Sequence, residues 1–194
     1  MPAALDLSRA GLPIALPTNS AEQRGLAHQR IHELLVHASL EQRERAVEIL
    51  KSWGGHAIPR VRPMVADEIR QFAALPGVTI GAHSVNHLSL PDNAASRVSE
   101  LTDCQVDLQR ITGQAVEIVA YPYGAVDRET LALVRRSWRW GLSCDDRVLG
   151  ESFDAARVPR LDVKAWPAAE FATRVSSMFE PIRPIPRRAL TLAP

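Results

Sequence analysis

The sequence predicts an α/β fold in which about four parallel strands alternate with helices, preceded by a helical hairpin. Two observations carry this prediction. Beyond Gly77, short apolar and β-branched runs are separated by stretches of helical spacing, and strands joined by crossovers of that length pair in parallel. Between Ala21 and Leu75, by contrast, the apolar residues recur at helical spacing alone.

Residues 1–20 contain Pro2, Gly11, Pro13, Pro17 and Asn19 with no sustained period, so an irregular lead-in is expected there. From Ala21 to Ala38, Leu26, Ile31, Leu34 and Leu35 define a first helix. Ser39 with Gln42 has the spacing of a capping box; it opens a second helix with Ala46, Val47 and Leu50 on its apolar side, stopped by Gly54-Gly55. The hairpin is assigned residues 21–57, the α/β part 58–180, and a Pro/Arg-rich tail 181–194. A short helix is predicted at Ala66–Leu75, with Glu68 near its start and Pro76-Gly77 after its end. Strands follow at Val78–Ala82, Val116–Tyr121, Gly141–Cys144 and Arg157–Val163. The intervening helices run over Ala94–Thr112, stopped by Gly113, and over Asp127–Trp138, capped by Asp127. A last helix begins at Pro167 and extends through Phe179.

With 46% hydrophobic and 23% charged residues in a chain of 194, disorder, collagen and coiled coil are excluded. The 23 basic and 22 acidic residues give a net charge of +1, which supplies no electrostatic reason to bind nucleic acid or an anionic membrane. No stretch approaches the ~20 apolar residues of a membrane span. Met1 to Pro17 lacks the regions of a secretory signal, so a soluble, cytoplasmic chain is expected. Cys104 and Cys144 lack any metal-knuckle spacing and are read as buried, inert thiols.

The sharpest chemical signal is His83-Ser84-Val85-Asn86-His87, directly after a predicted strand. On a helical turn, residues four apart share a face, so His83 and His87 are candidate ligands of one metal ion. Parallel α/β sheets gather functional groups at the carboxyl ends of their strands, which favours that reading over two solvated histidines. Ala120-Tyr121-Pro122-Tyr123-Gly124 closes the next strand; its proline and glycine force a turn that can present N–H groups and an aromatic ring to the same mouth. Asp145-Asp146 follows the third strand and would open at that mouth, although adjacent acids after a strand are usually a solvated turn. His28, His32, His37 and His56 fall in the hairpin or its exit, and the spacing of His28 and His32 is read as helix surface.

In order and spacing, these features resemble the polysaccharide deacetylases, also called the NodB-homology domain or carbohydrate esterase family four. Gly77 to His87 is similar to the family's second motif, H-S/T-x-x-H, and Val119 to Gly124 to its third, in the variant that reads FAYPYG. The 33 residues from His87 to Ala120, filled by one helix, are also similar. The resemblance runs from about Ala21 to Trp166. It implies part of a (β/α) barrel, a divalent metal, zinc by preference, held by His83 and His87, and an acetylated carbohydrate as substrate. It further implies that the Tyr123 backbone N–H serves the oxyanion site, and that Tyr121, Pro122 and Tyr123 contact the sugar.

Three departures accompany the resemblance. The family's T-F-D-D motif, source of the general base and third metal ligand, has no counterpart before His83, where the only aspartates are Asp6 and Asp67. Ala120 stands where many members have a bracing arginine; Arg160, in Val158-Pro159-Arg160-Leu161, is a candidate replacement, against an ion-paired surface arginine. No leucine-histidine motif follows near the C-terminus. Asp145 and Asp146 are the candidates for replacing the missing acids. Two readings therefore stay open: a bacterial metal-dependent deacetylase whose chain here is truncated and poorly active, with its metal weakly held, or a non-catalytic remnant with a glycan-binding or assembly role. A four-strand open barrel is expected to self-associate as a homo-oligomer or to need a missing N-terminal segment.

Overall fold

The structure is a computed structural model, and it describes residues 3–54, 62–147, 149 and 152–178. Gly55, His56 and the tail at 181–194 lie outside the described residues.

The first residues are ordered by pairing, which corrects the expected irregular lead-in. Strand β1 (Ala4–Asp6) runs antiparallel to β2 (Ala15–Pro17), with Leu5 opposite Leu16. A 3-10 turn at Ser8–Ala10 and Gly11, at φ 74°, reverse the chain between them. Three-residue strands are too short to display an alternating pattern, and Pro17 closes β2 at its end, where a missing N–H costs nothing. Leu5, Leu7, Ala10 and Leu12 then form one core with Ala38 and Ala46 of the helical hairpin.

That hairpin consists of α1 (Ala21–His37) and α2 (Leu40–Gly54). The Ser39 capping box is present: the Gln42 N–H donates to Ser39 Oγ at 3.3 Å, and the Ser39 N–H donates to Gln42 Oε1 at 3.0 Å. Ser20 and Gln23 build a second such box at the start of α1. Each box satisfies donors that the first helical turn would otherwise leave orphaned.

The second unit begins with α3 (Ala66–Ala73) and α4 (Arg97–Thr112) and continues through β3 (Ile118–Ala120), α5 (Arg128–Ser137), β4 (Trp140–Leu142) and α6 (Ala168–Met178). The stops and caps fall where the sequence places them. Gly113 takes φ 69° and donates its N–H to Gln109, and Asp127 accepts the Thr130 N–H at 2.7 Å.

Strands β3 and β4 are parallel, with Val119 opposite Gly141. Ala82 pairs in parallel with Val119 on one side, and Val158 with Leu142 on the other. All four predicted segments therefore lie side by side in parallel, in the order Ala82, β3, β4, Val158. The outer two pair through one residue each, shorter than expected. β-Branched residues favour extended backbone locally, whereas a ladder needs a partner on at least one side; at Val78 the N–H instead closes a turn onto Leu75. Val119, Tyr121, Leu101, Val116, Val134 and Trp138 form the core between this sheet and the helices.

Candidate functional site

His83 and His87 come together at the carboxyl end of the Ala82 segment, but on a loop rather than the expected helical turn. Their rings meet edge to face with centroids 4.6 Å apart. Ser84 and His87 adopt φ 64° and 52°, left-handed values that bend the loop back on itself. Ser84 Oγ accepts the His87 N–H at 2.9 Å, and Glu100 of α4 anchors the middle. Its Oε2 accepts the N–H groups of Val85 at 3.1 Å and Asn86 at 2.8 Å, while Oε1 accepts from Asn86 Nδ2 at 2.7 Å.

Glu100 is 3% exposed and was not singled out from the sequence. A signal existed, because Arg97 and Glu100 fall within the inward stripe of Leu101, Cys104 and Leu108. Val98 of the same helix is 55% exposed and lies outside that stripe. Arg97 is buried too, paired at 2.5 Å with Asp127.

The tautomer of His83 follows from its partner. Nδ1 lies 2.8 Å from the carbonyl oxygen of Ala120, which can only accept, so Nδ1 carries a proton, and in the neutral ring the lone pair is on Nε2. A ligating histidine is commonly oriented through its other ring nitrogen in this way. Desolvation, then the neighbouring charge of His83, hold His87 below the usual imidazole range, so it is neutral at pH 7 and has a lone pair to offer. These two donors fit a borderline ion such as zinc. Among the described residues, however, no group of three or more His, Cys, Asp and Glu side chains comes together to hold one.

Tyr123 stands over the pair at φ 58°, its ring 4.6 Å from that of His87 and at 78° to it. It is 36% exposed. Gly124 is required behind it: at φ 68°, an added Cβ would lie 2.6 Å from Cys144 Cβ. Tyr121 and Pro122, expected against the sugar, are fully buried beneath this turn. Tyr121 Oη donates to the Ala156 carbonyl at 2.5 Å, and burial pushes the phenol well above its ordinary pKa. Both residues support Tyr123 from below.

The acidic pair does not join the histidines in any metal-holding group among the described residues. Asp145 receives Arg157 Nε at 2.9 Å and the Ser143 hydroxyl at 2.9 Å, and these bonds hold its carboxyl below the usual range. Asp146 accepts the Asp162 N–H at 3.2 Å. Arg160 donates to the Ser143 carbonyl at 2.8 Å and lies 3.3 Å from Cys144 Sγ, bracing the end of β4. Cys144 is exposed and Cys104 half-buried, which corrects the expectation of two buried thiols. His37 pairs with Asp92 at 2.8 Å and ties the hairpin to the loop after His87.

A parallel sheet with paired imidazoles after one strand and an aromatic turn after its neighbour defines an α/β domain whose functional groups sit at the strand ends. Residues 63–137 match the polysaccharide deacetylase family. Two solved structures share the fold. One, a polysaccharide deacetylase from Bacillus cereus, is 17% identical with a TM-score of 0.52, the match covering 69% of this chain and 48% of that one. The other, a Bacillus anthracis protein whose name assigns it to the polysaccharide deacetylases, is 17% identical with a TM-score of 0.51, covering 68% and 47%. The chain thus spans about half the length of the solved structures it matches. No curated protein matches it. No helix among the described residues is long and apolar enough to cross a membrane.

Proposed function

We propose that this chain is a metal-dependent, carbohydrate deacetylase-like protein that receives an N- or O-acetylated glycan at the mouth formed by His83, His87 and Tyr123. The observation that carries the reading is the bond from His83 Nδ1–H to the Ala120 carbonyl, which leaves Nε2 as the ring nitrogen available for ligation, with the His87 ring 4.6 Å away centre to centre. The Lewis-acid chemistry of a divalent ion, zinc by its nitrogen donors, consists of polarising the acetyl carbonyl and lowering the pKa of water. Within the chain, His83 and His87 hold the ion, and the Tyr123 N–H donates to the developing oxyanion. The Tyr123 ring packs against the sugar face.

Two imidazoles without a carboxylate make a weak site, and proton removal from the attacking water needs a positioned base. No acid among the described residues joins the pair, so we propose negligible turnover by this chain alone. The same observation supports a second reading, a non-catalytic protein that keeps a glycan-binding or assembly role. Zinc calorimetry on the wild type and on the double variant His83→Ala/His87→Ala tests the metal site, and identical isotherms would remove it. Acetate release from an acetylated chitooligosaccharide separates the two readings. Turnover at an ordinary enzymatic rate, abolished by His83→Ala, would overturn the proposed impairment.

A further inference from the structure

Arg43, on α2 of the hairpin and outside the stretch that matches the deacetylase family, reaches into the site. Its Nη1 donates to the carbonyls of His87 at 2.8 Å and Asn86 at 3.3 Å, and its Nη2 donates to the Val36 carbonyl of α1 at 3.0 Å. The guanidinium carbon lies 6.0 Å from the centre of the Tyr123 ring. Nε is buried and has no hydrogen-bond partner among the described residues, and the side chain as a whole is half-buried.

We infer that Arg43 is a positioning residue for the metal-binding loop, and that the hairpin is part of the site rather than an insertion beside it. The inference rests on the metal reading proposed above. Loop 83–87 is held by opposite charges on its two kinds of backbone group: Glu100 takes the N–H groups of Val85 and Asn86, and Arg43 takes the carbonyls of Asn86 and His87. Charge-assisted bonds of this kind are about twice as strong as neutral ones. They oppose the cost of the left-handed backbone at His87, a conformation that a residue with a Cβ rarely adopts. The planar fork spans carbonyls of two elements at once, a geometry an ammonium group does not reproduce. Without it, His87 is free to leave the left-handed region, and its ring then moves away from His83 and Tyr123.

The test compares Arg43→Ala, Arg43→Gln and Arg43→Lys with Arg45→Ala, whose guanidinium pairs with Glu41 on the outer surface of the same helix. Two quantities are read at constant pH: the proton shifts of the His87 ring in metal-free protein, which report its contact with Tyr123, and zinc affinity by calorimetry. Arg43→Ala and Arg43→Gln are expected to move the His87 shifts toward those of a free imidazole and to weaken zinc at least tenfold. Arg43→Lys should fall between them and the wild type, and Arg45→Ala should match the wild type. If Arg43→Ala does not fold, Arg43→Gln and Arg43→Lys carry the comparison. Wild-type His87 shifts in a folded Arg43→Ala or Arg43→Gln protein overturn the inference whether or not zinc binds. Failure of the wild type to bind zinc defeats the metal reading alone, and the ring shifts still decide the role of Arg43.

Discussion

Replacing Glu100 by alanine tests how the histidine loop is held. The substitution removes the acceptor of three hydrogen bonds, from the N–H groups of Val85 and Asn86 and the Asn86 amide. A buried donor left without its acceptor costs about 1–3 kcal/mol. Val85 is 51% exposed, so water reaches part of this loop once the carboxylate is gone, and the low end of that range applies. Three donors at about 1 kcal/mol each give a loss of about 3 kcal/mol. Glu100→Gln keeps one acceptor oxygen but turns an amide donor toward its partners, so about half that loss is expected. Urea unfolding followed by circular dichroism measures both, and an unchanged slope shows that the native state is still compact. A loss below about 0.5 kcal/mol for Glu100→Ala, the ordinary range for a surface substitution, would refute the claim that Glu100 anchors the loop.

Gly141→Ala places a Cβ 2.2 Å from Tyr121 Oη and 2.5 Å from the Ala156 carbonyl, so a loss of about 3 kcal/mol is expected in thermal or urea unfolding. Asp127 titrates below its ordinary value of 3.8: desolvation, the largest single influence, raises it, but the bonds from Thr130 and the charge of Arg97 together outweigh it. A depressed carboxyl contributes stability above its unfolded pKa and loses it as pH falls through the folded one. Asp127→Asn should therefore cost about 2 kcal/mol at neutral pH and progressively less below pH 3.8, as read from urea unfolding at a series of pH values. For association, sedimentation at micromolar concentration is expected to show species larger than the monomer, since an open parallel sheet presents unpaired backbone at its edges. A monomer at every concentration would contradict this.

The sequence by itself determined the local features, because each depends on residues close in the chain. The Ser39 box, the Gly113 stop and the Asp127 cap need only three or four consecutive residues to form, and all three stand where they were read. The parallel alternation was legible for the same reason: strand-forming runs and helix-length crossovers leave parallel pairing as the arrangement available. His83, His87 and Tyr123 could be named because the strand-end position and ordered spacing of their motifs survive in one dimension. Tertiary structure decided what those residues meet. Glu100 lies 13 positions beyond His87 and Arg43 lies 44 before it, and neither carries a motif. Tyr121 and Tyr123, two residues apart in one motif, separate into core and mouth only through the turn at Pro122. The β1–β2 pair likewise exists through its register and not its composition. Local propensity is encoded residue by residue, whereas burial, pairing and the partner of each charged group depend on contacts that close only when distant segments pack.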